Sequence, residues 1–335
     1  MTDNQLSELT PLTIKKDKRK WFNLSMLALL VLTLTLLPLI LDSPYTLHIL
    51  ILTFVYIVAS VSLRSILISG QFPLAHGAFM GLGAYLSGMA SKWMGLSPWL
   101  TIPSAALIVA GIGILIGYPF SRLRAFYYAM GSLFFGIGIL LIIYAGGRWT
   151  GGYSGLMGIR PIFMGSKIPY YYFFWGLTIV CLIAMYRFEF SRIGTNLKAI
   201  AQSHEVASSV GINESRYRIM AVGFGCFFVG LIGAAYAHYN LVISPTSFNL
   251  SATLWLVMYV LIGGTDNFKG PIIGTAVLLL IPEFFRDLKL YLPYLSAGIL
   301  LFVVYLFPKG LVSLPDQVRS WYSQRLQKKE ANNVS

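Results

Sequence analysis

The chain alternates long apolar segments with short polar ones, and the lengths of the apolar segments give the first structural signal. An α-helix of about 20 mainly apolar residues crosses the hydrocarbon core of a bilayer. We predict an all-α, polytopic integral membrane protein of about ten transmembrane helices, or about eight if the segments 248–262 and 272–285 do not cross fully. The predicted spans are residues 21–41, 45–68, 73–93, 98–120, 126–145, 170–186, 219–240, 248–262, 272–285 and 292–307.

Composition agrees with this class. Hydrophobic residues make up 56% of the chain and charged residues 11%, whereas a soluble globular chain carries about 25% charged residues. The net charge of +13 does not indicate nucleic-acid binding, because the basic residues lie in loops and tails, where orientation signals occur. The basic cluster from Lys15 to Lys20 is expected to contact anionic membrane lipids. Cys181 and Cys226 lie in apolar spans, so neither a disulfide nor a metal framework is predicted.

The distribution of basic residues predicts the orientation of the chain. With ten crossings, 19 of the 25 Lys and Arg residues fall on the side of the two termini, and cytoplasmic loops are enriched in these residues. We therefore predict an N-in, C-in protein with a cytoplasmic tail over residues 1–20, a transmembrane domain over 21–307 and a second cytoplasmic tail over 308–335. Arg64, near the inner end of its span, is interpreted as a snorkelling side chain.

Residues 187–218 form the longest polar interruption of the chain and are predicted to lie in the cytoplasm. A helix is predicted from Thr195, its N-cap, to Val210, and Gly211 is the predicted stop because glycine accepts the left-handed conformation there. The alternative for this segment is a solvated connector. The face that repeats at helical spacing comprises Leu197, Ile200, Ala201, His204 and Ala207.

Small residues recur at steps of three and four in the third and seventh predicted spans. Such a stripe lets the backbones of two helices approach closely inside a membrane. We therefore expect span 73–93 to be a packed interior helix rather than a lipid-facing one, and span 219–240 to pack in the same way. The glycines predicted at these helix contacts are Gly77, Gly81, Gly230 and Gly233.

Several kinds of chemistry have no signature in the sequence. No G-x-x-x-x-G-K-[ST] phosphate loop occurs, so the chain is not predicted to hydrolyse ATP. The four histidines show no metal-ligand spacing, and neither a metal site nor a catalytic site is predicted. Glu283 is the one candidate for an intramembrane carboxylate, whereas ion-coupled carriers usually contain several such groups. An ion-coupled secondary transporter and a membrane enzyme are therefore disfavoured.

A permease that draws its energy from other subunits needs only a weakly polar route through its helices. The candidates for this route are Gln71, His76 and Asn240. The alternative for each side chain is an interhelical hydrogen bond without a role in transport.

Five segments resemble, in the right order, motifs of the LivM-type permeases of branched-chain amino acid ABC importers. The segment from Gly70 to Tyr85 resembles G-Q-x-S-L-G-H-A-A-F-x-G-x-G-A-Y, with departures at Pro73, Ala75 and Gly77. The other four are residues 150–159 (T-G-G-x-x-G-L-x-G-I), 192–212 (a coupling segment similar to E-A-A-x-x-x-G), 263–274 (G-G-x-G-T-x-x-G-P-x-x-G, with Asp266 at a usual glycine position) and Pro282-Glu283 (P-E).

The resemblance implies an ABC importer permease, a multi-pass protein of the bacterial cytoplasmic (inner) membrane that binds no cofactor itself. The implied partners are a paralogous permease in a heterodimer, two cytoplasmic ATPase subunits that use ATP and Mg²⁺, and an extracytoplasmic solute-binding protein. Leucine, isoleucine or valine is the first-choice substrate. Urea or a short-chain amide is the alternative, because sister permeases share these motifs.

The resemblance also implies that the 187–218 segment contacts the ATPases and passes on their closing motion. Ala207 is expected to enter a groove of the partner, which requires that its side chain stays small. The residues expected to act in ATPase coupling are Arg192, Leu197, Lys198, Glu205, Ala207 and Gly211.

Overall fold

A computed structural model of the chain describes residues 43–123, 125–284 and 310–313, with isolated positions at 33, 35, 37, 38, 294, 297, 298, 301 and 305. The predicted spans 21–41 and 292–307 and both predicted tails lie almost wholly outside the described residues. The count of ten helices and the N-in, C-in orientation therefore stay predictions.

The described part of the chain consists of α-helices joined by short connections, with a single pair of two-residue strands among these residues. The helices are α1 (Pro44–Leu67), α2 (His76–Trp93), α3 (Pro98–Phe120), α4 (Ala125–Ala145), α5 (Gly147–Thr150), α6 (Ile168–Glu189), α7 (Arg192–Gln202), α8 (His204–Ser209), α9 (Glu214–Asn240), α10 (Leu250–Gly263) and α11 (Gly270–Phe284). The strands are β1 (Leu156–Met157) and β2 (Val242–Ile243), and 3₁₀ helices occupy Gly152–Ser154, Pro245–Phe248 and Leu311–Ser313.

Six helical segments are long and apolar enough to cross a membrane: α1, α3, α4, α6, α9 and the segment Pro245–Gly263, which contains α10. The sequence predicted eight spans in this part of the chain; the other two, 73–93 and 272–285, correspond to helices that are less apolar or shorter, and their crossing of the membrane stays a prediction. α2 has 18 residues but is rich in glycine, alanine and serine, and its position depends on burial among its neighbours rather than on apolarity. α11 has 15 residues and is a shorter apolar helix.

α9 lies at the centre of the bundle and packs against α1, α2 and α3. Its buried face is built largely from small residues, so the neighbouring backbones come very close. A Cβ on Gly83 of α2 would overlap the backbone of Gly230, and a Cβ on Gly230 would lie 2.8 Å from the side chain of Val109 in α3. Close packing of this kind holds helices together in a membrane, because lipid tails are as apolar as the side chains themselves.

The bundle has two ends with different chemistry. At the basic end, the 187–218 segment joins α6 to α9. The turn between α10 and α11 lies at the same end, where Arg64 of α1 donates to the Thr265 carbonyl. At the opposite end, β1 in the 146–167 loop pairs antiparallel with β2, which follows α9.

Candidate functional site

The 187–218 segment contains two helices, α7 and α8, so the prediction of one helix from Thr195 to Val210 is wrong. The interruption is Ser203, whose backbone is extended (φ −158°, ψ 110°). Its hydroxyl accepts a hydrogen bond from the Val206 amide and caps α8. The apolar residues keep their helical spacing across this break, so periodicity alone could not reveal it.

The first of the two helices begins earlier than predicted. Its N-cap is Ser191, whose hydroxyl oxygen lies 3.1 Å from the Ile193 amide nitrogen and 3.4 Å from that of Gly194. The predicted N-cap, Thr195, lies inside α7, where its hydroxyl donates to the Ser191 carbonyl. Serine and threonine both cap helices well, so residue type alone does not distinguish Ser191 from Thr195 as the start of α7.

Most of the apolar face of α7 and α8 is covered by this chain itself, although Ala201 on that face is exposed and His204 is half-buried. Leu197 is fully buried and packs in one cluster with Ile68 and Ala221. Ile200 is buried as well, and Ala207 is only 3% exposed. The expectation that Ala207 enters a groove of a partner is therefore wrong for this arrangement, because its side chain already faces the bundle.

The accessible face of α8 lies away from the apolar face that the helical spacing identifies. Val206 and Val210 are 64% and 71% exposed, and residues four apart are neighbours on a helix surface. The Glu205 side chain beside them is 85% exposed, and Arg192 is exposed at the start of α7. Among the residues expected to act in coupling, Glu205 and Arg192 are thus open to a partner, whereas Leu197 is not.

Gly211 follows the end of α8 with φ +84°. Its amide donates to the Ser208 carbonyl, and the Ile212 amide donates to the Ala207 carbonyl (3.1 Å). This pair of hydrogen bonds closes a Schellman motif, in which a left-handed residue satisfies the last carbonyls of a helix. A Cβ on Gly211 would meet no atom within 4 Å, so the requirement for glycine here is conformational and not steric.

A buried ionic cluster joins the 187–218 segment to the bundle, and the sequence analysis missed it. Arg64 is 2% exposed and donates to both Glu189 carboxylate oxygens, from Nη2 at 2.7 Å and from Nε at 3.2 Å. Lys198 Nζ donates to the same carboxylate at 2.9 Å. The snorkelling interpretation of Arg64 is therefore wrong. An arginine inside an apolar span usually has a buried partner, but Glu189 lies 125 positions away and local sequence does not identify it.

The structure does not bring the three pathway candidates together. His76 is fully buried, with its Nε2 atom 2.8 Å from Ser62 Oγ, and Gln71 is buried on the same half of the bundle, where Ser69 Oγ donates to its side-chain oxygen. Asn240 lies at the opposite end, on the rim of a cavity of about 450 Å³. The contact of His76 with Ser62 is an interhelical hydrogen bond, which is the alternative given for this side chain. A role in the transport pathway stays a prediction for Gln71, His76 and Asn240.

The four glycines predicted at helix contacts each lie against a neighbouring element. A Cβ on Gly77 would come within 2.7 Å of Thr253 Oγ1 in α10, and one on Gly81 within 2.8 Å of Phe248. Gly230 faces Val109 as described above, and a Cβ on Gly233 would overlap the Met80 carbonyl oxygen. These positions leave no room for any larger residue unless the neighbour moves.

The opposite end of the bundle carries a hydrogen-bond network around His238 whose partners are hydroxyl and carbonyl groups. The Nδ1 atom lies 2.7 Å from the Arg160 carbonyl oxygen, so it must be the donor. The Nε2 atom lies 2.8 Å from Ser87 Oγ and 3.2 Å from Thr101 Oγ1. The imidazole thus joins α9, α2, α3 and the 146–167 loop.

The glycine motif at residues 150–159 folds tightly on itself and against β2 at the same end of the bundle. A Cβ on Gly151 would overlap the Gly155 carbonyl oxygen, and one on Gly155 would overlap the Ile243 carbonyl oxygen. The motif therefore serves close backbone packing rather than the binding of a phosphate. Within the described ranges, no group of three His, Cys, Asp or Glu side chains could hold a metal ion.

Comparison with known proteins agrees with the motif resemblance. Residues 45–308 match the family model described as the branched-chain amino acid transport system permease component. The high-affinity branched-chain amino acid transport system permease protein LivM of Escherichia coli K12 is 26% identical over 298 residues, which cover 80% of this chain and 70% of LivM. The LivH permease protein of the same organism and system is 25% identical over 280 residues, which cover 74% of this chain and 88% of LivH. No solved structure matches the chain significantly.

The family match runs from the start of α1 past the last described transmembrane helix and therefore includes every element of the site. The six helical segments able to cross a membrane make the molecule a multi-pass membrane protein. Because the match covers far more than half of the sequence, the chain belongs to the permease-component family of branched-chain amino acid transport systems.

Proposed function

We propose that this chain is the permease subunit of an ATP-driven importer of branched-chain amino acids in the bacterial cytoplasmic membrane. The match to permeases named for this substrate class over most of the chain carries the proposal. Two partner ATPase subunits use ATP and Mg²⁺, a paralogous permease completes the transmembrane part, and an extracytoplasmic binding protein delivers the substrate. The chain itself performs no catalysis and needs no cofactor.

The basic end of the bundle is the side that faces the cytoplasm and the ATPases. Two short capped helices lie there outside the long helices, between α6 and α9. The excess of Lys and Arg on this side supports the assignment. The opposite end then faces the binding protein, and the cavity at Asn240 opens toward it.

The position of Glu283, the one candidate intramembrane carboxylate, supports the proposal that the energy for transport comes from the partner ATPases and not from ion coupling. Glu283 accepts a hydrogen bond from Tyr45 (3.0 Å), and Tyr45 stands in the first turn of α1 at the opposite end. A carboxylate at the end of the bundle is poorly placed to carry protons or sodium ions across its middle, where coupling groups usually lie.

Uptake into proteoliposomes tests the energy source. The permease should be reconstituted with its paralogue, the two ATPases and the binding protein encoded beside it. We expect leucine uptake that requires ATP and every partner. Uptake by this chain alone, driven by a proton gradient, would contradict the proposal.

The substrate is tested on the binding protein, since the affinity of such an importer is expected to rest there. Calorimetric titration should show tight binding of leucine, isoleucine or valine. Tight binding of urea or a short-chain amide, with no response to leucine, would overturn the substrate while leaving the importer mechanism in place.

The contact with the ATPases is tested on the exposed face of α8. Val206→Arg adds charge and bulk to the accessible pair with Val210, so we expect the ATPases to be lost on purification in detergent. Gln202→Ala, at an exposed position of the same segment, is the matched control and should retain them. Normal retention of the ATPases by Val206→Arg would indicate that the segment is a solvated connector.

A further inference from the structure

Glu189, the last residue of α6, receives hydrogen bonds from two cations that belong to different elements. Arg64 of α1 contributes two of them, at 2.7 and 3.2 Å, and Lys198 of α7 contributes one at 2.9 Å. Glu189 is 4% exposed and Arg64 is 2% exposed, whereas the Lys198 side chain is 40% exposed. One carboxylate thus links the transmembrane bundle to the 187–218 segment.

The same arginine extends this link to the turn between α10 and α11. Its Nη1 atom donates to the Thr265 carbonyl, and Nη2 lies 3.5 Å from the Asp266 carbonyl oxygen. The cluster therefore joins α1, α6, α7 and the 264–269 turn at a single point. Gly194 in α7 fits directly against this point, since a Cβ there would overlap the Glu189 carbonyl oxygen.

The contacts of Arg64 and Lys198 with Glu189 differ in the free energy that is needed to separate them when α7 moves. Separation of Arg64 from Glu189 would leave the buried guanidinium with backbone carbonyl partners alone and the buried carboxylate with Lys198 alone, which is strongly unfavourable. Separation of Lys198 from Glu189 leaves the carboxylate paired and returns a partly exposed ammonium to water, which is a small change. The contact with Arg64 is therefore permanent, and the contact with Lys198 is releasable.

Apolar packing alone does not determine how α7 is oriented relative to the transmembrane helices or how its movement is passed on to them. Leu197 packs against Ile68 and Ala221, and such contacts are non-directional. The fork of Arg64 on the carboxylate has a defined geometry, so a movement of Glu189 must move α1 and the 264–269 turn with it.

We propose that Glu189 is a positioning residue through which movement of the 187–218 segment reaches α1 and the α10–α11 turn, with Lys198 as its releasable contact. The inference rests on the proposed function, because it assigns the path by which ATPase closure changes the permease. Glu189 touches neither ATP nor substrate and acts through Arg64.

The experiment uses the complete importer in proteoliposomes and measures ATPase retention, ATP hydrolysis and substrate taken up per ATP. Lys198→Met should retain the ATPases and hydrolyse ATP, while uptake per ATP falls at least about fivefold, the low end of coupling between sites. Arg216→Met, which removes an exposed cation from the same segment, is the matched control and should keep the wild-type ratio.

A second variant separates coupling from folding. In Arg64→Met with Glu189→Met no buried charge is left unpaired, so the bundle should fold and bind the ATPases. We expect its uptake per ATP to fall about tenfold or more, within the usual range of coupling between sites. A wild-type ratio in both Lys198→Met and the double variant would overturn the inference. Absence of ATP-driven uptake in the wild-type complex would instead overturn the proposed function.

Discussion

The two ends of the bundle are held together by different interactions. At the basic end the polar contacts are ionic: Arg64 and Lys198 bind Glu189, and Arg218 binds Glu214 at 2.7 Å. At the opposite end the partners of His238 are hydroxyl and carbonyl groups, and a glycine loop packs backbone against backbone. Both ends are well packed, but the ion pairs between described residues lie at the basic end.

The difference indicates which end is adapted to move. Partly exposed ion pairs are weak and compete with water, so a partner that presses on α7 or α8 can rearrange them at little cost. Backbones in direct contact have no such freedom, because protein interiors transmit strain rather than absorb it. Such contacts occur at both ends, at Gly194 with Glu189 as well as at Gly155 with Ile243. We therefore interpret the partly exposed contact of Lys198, rather than the basic end as a whole, as the part that responds to the ATPases of the proposed importer.

The largest expected effect on stability is at the permanent half of the ionic cluster. Arg64→Ala should destabilise the permease by about 3–5 kcal/mol, toward the low end because Lys198 still pairs with Glu189. Thermal unfolding of the purified protein in detergent measures this loss. Arg64→Met combined with Glu189→Met should recover most of the melting temperature, and an unchanged melting temperature for Arg64→Ala would refute the burial of the pair.

A smaller effect is expected in the glycine loop of the opposite end. Gly151→Ala and Gly158→Ala both place a side chain on a residue with positive φ (78° and 76°), but only the first overlaps another backbone atom. Gly151→Ala should therefore lower the free energy of unfolding by about 1–3 kcal/mol more than Gly158→Ala does. Equal melting temperatures of the two variants would show that the loop is not rigid.

Loss of a single hydroxyl from the His238 network should lower the free energy of unfolding by about 1 kcal/mol. Ser87→Ala removes the hydroxyl that contacts His238 Nε2 and donates to Thr101 Oγ1, and it leaves the longer contact between Thr101 and His238. Ser91→Ala, one turn further along α2, removes a buried hydroxyl that has no hydrogen-bond partner among the described residues, so it should leave the free energy of unfolding almost unchanged. Thermal unfolding of the two purified variants in detergent measures this difference, and equal melting temperatures would show that the Ser87 hydroxyl does not stabilise the network.

The smallest effect on stability is expected from Lys198→Met. Its partly exposed contact with Glu189 should contribute less than about 1 kcal/mol. The difference between wild type and variant should shrink further as salt is raised, because screening weakens a pair that is open to solvent. Melting temperatures at two salt concentrations measure it, and a loss as large as that of Arg64→Ala would remove the distinction between permanent and releasable contacts.

Much of the architecture could be predicted from local sequence. The predicted span 98–120 has the same bounds as α3, and span 126–145 differs from α4 by one residue, because length and apolarity are properties of the segment itself. The stop of α8 before Gly211 was predicted for the same reason, since the left-handed conformation there is an intrinsic preference of glycine. The family resemblance rested likewise on motifs that are short and local.

What covers each surface was decided only by the tertiary structure. The periodicity of the 187–218 segment identified an apolar face that includes Ala207, but the bundle rather than a partner covers that face. Arg64 could be recognised as unusual, yet its partner Glu189 lies on another helix far along the chain. Periodicity and composition report the preferences of single segments, whereas burial and ion pairing depend on which segments meet. Arg64 reaches Glu189 because α1 packs directly against α6.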